Sequence, residues 1–270
     1  MQGRVLIVAG SDSGGGAGIQ ADIKTVTALD GFATTAVTAL TAQNTRGVHD
    51  ILDVPAAFVA RQMQVVLDDI GADCIKIGML HRADIIDAVC DVIASTAARV
   101  PVVVDPVMVA KGGHPLLEPE AVATLSRRLI PIATVLTPNL PEAEILAGGS
   151  PPGNPLHLAA ALLRLGPRAV LLKGGHLPGA TVVDALVDRD GMAETLESPR
   201  LDTPNTHGTG CTLASAIAIG LAQGLPLREA VVRARAYVRE AIRTAPGYGH
   251  GHGPLNHAHT VRRAKSPLRP

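Results

Sequence analysis

The 270-residue sequence has little of several features that mark particular classes of protein. It contains only two Phe and two Tyr and no Trp, which excludes the aromatic stacking platforms of a single-strand nucleic-acid binder. Its 24 basic and 24 acidic residues balance, so no long-range field attracts nucleic acid or an anionic membrane. We therefore expect neither nucleic acid nor a membrane as a partner, and any binding of anions must be local.

Cysteine and long apolar runs are also scarce. Cys74, Cys90 and Cys211 are odd in number and lack close pairwise spacing, which disfavours a disulfide framework or a zinc site. The apolar run near the amino terminus is only about five residues long, too short for the core of a signal peptide or a membrane span. We expect a cytoplasmic protein in a reducing compartment.

Short β-branched runs alternate along the chain with segments long enough for helices. Uninterrupted apolar runs such as V-P-V-V-V-D-P-V are typical of strands covered on both faces, as in a parallel sheet. The pattern predicts an α/β fold, a mostly parallel doubly wound sheet with helices on both faces. The predicted strands are 5–9, 35–40, 74–78, 100–107, 134–137 and 169–174, with helices at 85–97 and 156–165 and another beginning near residue 140.

Two further segments predict an antiparallel edge. Residues 181–188 and 192–198 have no helical segment between them and meet at D-R-D-G, a hairpin signal. The Gly/Pro-rich stretch 148–155 is interpreted as a surface loop, because the βα alternation continues past it. We predict one domain over residues 1–258 and a loose basic tail over 259–270.

The first glycine loop, A-G-S-D-S-G-G-G-A-G-I-Q-A-D, lies where the first strand ends and the first helix begins. Ligands of open α/β sheets bind at that edge. The stretch is not a phosphate-binding Walker loop, because Gly16 and Ala17 stand where Lys and Ser/Thr are needed, and it lacks G-x-G-x-x-G. A ligand loop and a simple tight turn both remain open for it.

The second glycine loop, H-G-T-G-C-T, runs directly into an alanine-rich helical pattern. The backbone N–H groups of residues 208–211 would be unpaired donors at the positive end of a helix, which together form an anion site. The same field acidifies a thiol, so Cys211 is a candidate base or nucleophile. A small apolar helix residue is the alternative.

These loops and several other stretches resemble one family, the hydroxymethylpyrimidine/phosphomethylpyrimidine kinases of thiamin biosynthesis, within the ribokinase-like superfamily. The resemblance extends from Val5 to about His257, nearly the whole chain, and implies the same sheet flanked by helices. The remaining matching stretches are T-A-L-T-A-Q-N-T, I-K-I-G-M-L, V-V-V-D-P-V-M-V-A-K-G-G, L-T-P-N-L-P-E-A-E, L-L-K-G-G-H and G-H-G-P-L-N-H.

The resemblance implies ATP, Mg²⁺, a homodimer and a set of site residues. It implies that the pyrimidine is bound by Gly10, Asp22, Gln43, Met79 and Val107. It implies that the nucleotide phosphates are approached by Lys173, Thr206 and Asp105, and that Mg²⁺ is held by Asp105 and Glu142. Lys111, in the A-K-G-G turn, is a further candidate for a phosphate contact, and a solvated loop lysine is the alternative. Mg²⁺ usually keeps several waters and needs only one or two carboxylates besides the phosphates.

Catalysis is expected at the second loop. Our hypothesis is that Cys211, as a partial thiolate, is the base for the hydroxymethyl group, while Gly208, Thr209 and Gly210 stabilise the charge of the moving phosphoryl. The family phosphorylates twice, first the alcohol and then the monophosphate.

Two other functions stay open at this point. Pyridoxal or pyridoxine kinase is one, since these substrates are also hydroxymethyl heteroaromatics and Cys211 could add to an aldehyde. A non-catalytic ligand sensor is the other, disfavoured by the intact set of Asp105, Glu142 and Lys173. A metal site in the His-rich stretch G-H-G-H-G-P-L-N-H-A-H is disfavoured, because Gly and Pro give its histidines no fixed face.

Overall fold

The computed structural model describes residues 1–110, 112–149, 154–175 and 179–261. Within them nine strands join one sheet in the order β3-β2-β1-β4-β5-β6-β7-β8-β9. The strands are β1 (Arg4–Asp12), β2 (Phe32–Asn44), β3 (Gly47–Asp53), β4 (Cys74–Ile77), β5 (Val102–Val104), β6 (Val135–Leu136), β7 (Ala169–Leu172), β8 (Thr181–Asp188) and β9 (Ala193–Pro199).

The mostly parallel sheet is confirmed. The six strands from β2 to β7 in the sheet order run parallel, and β8 and β9 form the predicted antiparallel hairpin at one edge. The other edge is also antiparallel, because the chain turns at Thr45 and Arg46 and β3 pairs back onto β2. The sequence pattern missed β3, since its apolar residues are interrupted by His49 and Asp50 and form no continuous run.

Eight α-helices cover the two faces of the sheet in the described residues. They are α1 (Gly18–Ala28), α2 (Ala56–Asp69), α3 (Ala83–Thr96), α4 (Pro119–Thr124), α5 (Leu140–Ala147), α6 (Pro155–Leu163), α7 (Thr209–Ala222) and α8 (Leu227–Arg243). The predicted helices at 85–97, near 140 and at 156–165 correspond to α3, α5 and α6. No described helix is long and apolar enough to span a bilayer.

Strand alternation builds the two cores. In β1, Val5 and Ile7 belong to the apolar cluster shared with α1, α7 and α8, whereas Leu6 and Val8 belong to the cluster shared with α2, α3 and α6. All four have no exposed surface. Each such buried side chain stabilises the fold by about 1.5–3 kcal/mol, which fixes the strand ends that carry the polar residues.

Helix α7 is buried on every side. The nine residues from Thr212 to Gly220 are all buried, because Ala and Gly let neighbouring elements approach closely. Gly31 packs against Ile219, and a Cβ on Gly220 would lie 2.8 Å from that of Ala230. A helix held this firmly gives its amino terminus a fixed position.

The single domain and the loose tail over residues 259–270 both stay predictions. A 3₁₀ turn spans His257–Thr260, and the Thr260 hydroxyl donates to the Ala28 carbonyl at 3.0 Å. Residues 262–270 lie outside the described residues, as do residues 150–153 of the predicted surface loop.

Candidate active site

A cavity of about 750 Å³ opens at the carboxyl edge of the parallel strands. The residues that follow β1, β5, β6 and β7 line it together with the first turn of α7. Of the sequence-predicted site residues, those that line it are Gly10, Gln43, Met79, Asp105, Val107, Glu142, Lys173, Thr206, Gly208, Thr209, Gly210 and Cys211. Lys111 lies outside the described residues.

Asp12 organises the first glycine loop. Its carboxylate accepts hydrogen bonds from the backbone N–H groups of Gly14, Gly16 and Ala17 at 2.8–3.0 Å. The same carboxylate pairs with His207 Nε2 at 2.8 Å, although both side chains are buried. Sequence reasoning missed this pair, because its partners are far apart in the chain and each lies in a stretch dominated by glycine.

The acceptor end of the cavity contains Gly10, Gln43, Met79 and Val107. A Cβ on Gly10 would lie 3.1 Å from Met79 Sδ, so the glycine lets the thioether reach the cavity wall. The Thr41 hydroxyl lies 3.1 Å from Gln43 Oε1 and orients that amide. The thioether and the amide together can hold a flat ring that carries both donors and acceptors.

Among the predicted site residues that the structure describes, Asp22 alone does not line the cavity. It has no exposed surface, and its carboxylate pairs with Lys76 Nζ at 2.8 Å and with the Ser215 hydroxyl at 2.7 Å. Asp22 faces inward from α1 because a buried lysine on β4 needs a counter-charge. A direct contact with a ligand is not available to it here.

The transfer end of the cavity carries a lysine between two carboxylates. Lys173 Nζ lies 2.7 Å from Asp105 Oδ1 and 3.9 Å from Glu142 Oε2. Glu142 also forms a capping box with Asn139, whose backbone N–H it accepts at 2.8 Å. Burial raises the pKa of Glu142 to about 7, with Asp105 adding to the rise and Lys173 opposing it.

Asp105 and Glu142 fit a divalent cation. They supply carboxylate oxygens on the same lysine, one directly after β5 and one in the first turn of α5, and carboxylate oxygens are the ligands that Mg²⁺ prefers. Both are more than nine-tenths buried, so their charges are stabilised only by Lys173 and nearby donors. An added cation would relieve this excess of negative charge.

The second glycine loop forms the predicted helix start. Gly208 adopts a left-handed conformation (φ 83°) as the N-cap of α7, a position that a side chain would strain. In the described part of the chain, the N–H groups of Gly210 and Cys211 have no hydrogen-bond partner. A Cβ on Gly210 would lie 3.2 Å from Lys173 Nζ, so these donors and the lysine face the same point.

Cys211 is not acidified in this setting. Burial raises its pKa to about 12, because loss of water and the charges of Asp22 and Asp105 outweigh the attraction of Lys76 and the Gly18 N–H. Burial therefore disfavours the expected partial thiolate, and the role of Cys211 as a base stays a prediction. The sequence revealed the helix terminus, but not the two carboxylates that the fold brings near the sulfur.

The opposite end of the cavity is lined by α8 and by the end of β9. Arg235, Val238, Arg239 and Ile242 face it, and Arg235 pairs with Asp184 at 2.8 Å. The sequence analysis did not predict this cavity wall. Its four residues on α8 nevertheless recur at i, i+3, i+4 and i+7, the spacing that places side chains on one face of a helix.

The His-rich stretch is a structural strap. His252 N donates to the Thr45 carbonyl at 2.8 Å, and the Gly253 carbonyl accepts from His207 N at 3.1 Å. His257 is buried beside Tyr237. No group of three or more metal-ligating side chains occurs among the described residues.

The sequence model of the Phosphomethylpyrimidine kinase family matches residues 12–256. The chain belongs to this family. It is 55% identical over 258 residues to the thiamine biosynthesis bifunctional protein ThiED of Geobacter sulfurreducens, covering 95% of this chain and 52% of that protein. The chain thus spans about half the length of that relative. It is 48% identical to the hydroxymethylpyrimidine/phosphomethylpyrimidine kinase of Rhizobium meliloti, covering 94% of this chain and 96% of that one.

The fold is shared with a solved vitamin kinase. The structure of pyridoxal kinase from Staphylococcus aureus in complex with pyridoxal matches with a TM-score of 0.88 at 34% identity, covering 97% of this chain and 96% of that one. The family and this likeness confirm the ribokinase-like α/β fold and the assignment as a kinase. They argue against the sensor alternative.

Proposed function

We propose that this kinase transfers the γ-phosphoryl of ATP to 4-amino-5-hydroxymethyl-2-methylpyrimidine, and then phosphorylates the resulting monophosphate to the diphosphate for thiamin biosynthesis. The observation that carries the proposal is the meeting of Lys173 with the free N–H groups at the start of α7. A phosphoryl group in transfer needs stabilisation at such a point.

The acceptor lies at the end of the cavity that contains Gln43 and Met79. Its amino and ring nitrogen atoms pair with the Gln43 amide, and its ring packs on the Met79 thioether. The hydroxymethyl group then faces Cys211 and the backbone N–H groups of residues 208–211, which we call the anion loop. Asp22 supports this end from beneath through Lys76, without touching the pyrimidine.

ATP occupies the remainder of the cavity, with its phosphates toward Lys173, Thr206 and the 208–211 loop. The α8 wall with Val238 and Ile242 offers an apolar surface for the base. Asp105 and Glu142 would hold Mg²⁺, which when bound offsets negative charge on the phosphates. Lys111 stays a predicted phosphate contact.

In the transfer step, the acceptor oxygen forms a bond to the γ-phosphorus and the bond to the bridging oxygen of ADP breaks. Lys173 and the N–H groups of Gly210 and Cys211 stabilise the charge on the equatorial oxygens. A loose transition state requires little removal of the hydroxyl proton before the bond forms. Cys211 therefore acts as a neutral thiol that bounds the acceptor, and the hydroxyl proton passes late to an oxygen of the transferred phosphoryl group.

The test is an ATP-consumption assay with Mg²⁺ that compares the hydroxymethylpyrimidine, its monophosphate and pyridoxal, with products identified by mass. We expect turnover of both pyrimidines well above that of pyridoxal. Strong use of pyridoxal with weak use of the monophosphate would instead favour a vitamin B6 kinase. The likeness to the Staphylococcus aureus pyridoxal kinase makes this the second candidate.

The homodimer and the cytoplasmic location stay predictions. Light scattering of the purified chain would measure the first, and a mass near 27.8 kDa would contradict it.

A further inference from the structure

The Asp12–His207 pair joins two loops that the proposed reaction uses separately. Asp12 ends β1 and belongs to the glycine loop at the acceptor end, whereas His207 directly precedes Gly208, the N-cap of α7. The pair is nearly inaccessible, since 2% of Asp12 and 7% of His207 is exposed. A buried contact between residues 195 positions apart fixes the relative position of its two loops.

Both oxygens of the Asp12 carboxylate accept hydrogen bonds. Gly14 donates to Oδ1, while Gly16, Ala17 and His207 donate to Oδ2. Burial by itself raises the pKa of Asp12, but these hydrogen bonds outweigh it and the pKa is lowered. Asp12 is thus a stable anion around which the first loop is wound.

The two loops are also closely packed against each other. A side chain on Gly16 would collide with the His207 ring, and one on Gly208 would collide with the Gly16 carbonyl. The His207 backbone N–H is held by Gly253 of the strap. The imidazole is therefore fixed from three directions.

The pair also determines what Gln43 offers a ligand. His207 Nε2 must carry a hydrogen to donate to Asp12, so it has no lone pair for Gln43 Nε2, which lies 3.5 Å away. A donor of the Gln43 amide thus stays available at the acceptor end. His207 in this way faces both the anion loop and the acceptor residues.

We propose that Asp12 and His207 are positioning residues that hold the first glycine loop, at the acceptor end, in register with the second glycine loop at the start of α7. They would thereby set the efficiency of phosphoryl transfer rather than the binding of nucleotide. The proposal rests on the proposed function, because it concerns the alignment of the acceptor hydroxyl with the γ-phosphoryl group. A misplacement of about 1 Å costs on the order of 10²-fold in rate.

The test compares H207L with H207Q. Leucine removes the donor to Asp12, whereas the glutamine amide can return a neutral donor near the Nε2 position. We expect H207L to lower kcat about 10²-fold with little change in the Kd of a non-hydrolysable ATP analogue. We expect H207Q to recover most of this loss.

The ratio of acceptor phosphorylation to ATP hydrolysis gives a second readout. Misalignment lets water compete with the acceptor, so H207L should lower this ratio, a change that loss of folded protein cannot produce. D73N is the matched control, because Asp73 pairs with Arg4 at the opposite end of β1. It should leave both kcat and the ratio unchanged.

The outcomes separate the two proposals. Wild-type protein that phosphorylates none of the three acceptors would overturn the proposed function, and the proposal on the pair with it. An active wild type with H207L at normal kcat and ratio would overturn the positioning role alone. Equal losses in H207L and H207Q, at thermal stabilities matched to wild type, would also overturn it, since the restored donor would then have no effect.

Discussion

Two lysine–aspartate pairs lie beside the same cavity and differ in how far their side chains are exposed to it. Lys76 and Asp22 have no exposed surface, whereas 15% of the Lys173 side chain is exposed beside Asp105. Burial alone lowers the pKa of either lysine, yet the nearby acidic groups outweigh it and the pKa is raised in both.

The difference in exposure gives the two lysine–carboxylate ion pairs different roles. Lys76 borders the cavity but has no exposed surface and pairs with Asp22, so its charge acts mainly on that carboxylate and on the nearby Cys211. Lys173 faces the unpaired N–H groups of the anion loop and can exchange part of its contact with Asp105 for a phosphate. The Lys76–Asp22 pair, here called the sealed pair, should therefore determine the stability of the fold. The Lys173–Asp105 pair, here called the open pair, should determine phosphoryl transfer.

The largest effect is expected from breaking the sealed pair. K76M leaves the Asp22 carboxylate buried without its cation, which should lower the free energy of unfolding by about 3–5 kcal/mol in urea denaturation. The double variant K76M/D22L replaces both charges with apolar groups and should recover most of this loss. A K76M protein as stable as wild type would contradict the structural role of the sealed pair.

Breaking the open pair should act on the reaction instead. K173M removes a cation from the point where phosphoryl charge develops, and kcat/KM should fall about 10²- to 10³-fold. Its loss of stability should be smaller than that of K76M, because Asp105 lies at a cavity that water enters. Nearly normal turnover in K173M would show that the anion loop works without the lysine.

A smaller effect is expected for Cys211, which lies between the two pairs. A general base contributes typically 10²- to 10⁴-fold, but a thiol with a pKa of about 12 is protonated at neutral pH. C211S should therefore lower kcat by less than about 10²-fold. A larger loss, with the fold intact by circular dichroism, would restore the base hypothesis.

The pH dependence of Cys211 alkylation sharpens the comparison further. Because the thiolate forms only near pH 12, the rate of reaction with iodoacetamide should rise about tenfold per pH unit between pH 7 and 9 without a plateau. D22N should raise the rate at a given pH by removing a nearby negative charge, and K76M should lower it. A plateau below pH 9 in wild-type protein would contradict the raised pKa.

The strands and helices were predictable wherever one local pattern dominated. Apolar runs located β1, β4, β5 and β7, and the glycine-to-alanine transition at residue 208 located the start of α7. Strand β3 was not predictable, because it depends on pairing with β2 and its own residues form no continuous apolar run.

The sequence by itself determined the α/β class, the two glycine loops and the set of strand-end carboxylates and lysines, because periodicity and turn chemistry are local properties. Only the tertiary structure decided which charges meet: that Lys76 pairs with the buried Asp22, that Asp12 reaches His207, and that burial, together with two nearby carboxylates, raises the pKa of Cys211. Coulomb energy and desolvation depend on distance and burial in space, and neither follows from positions along the chain.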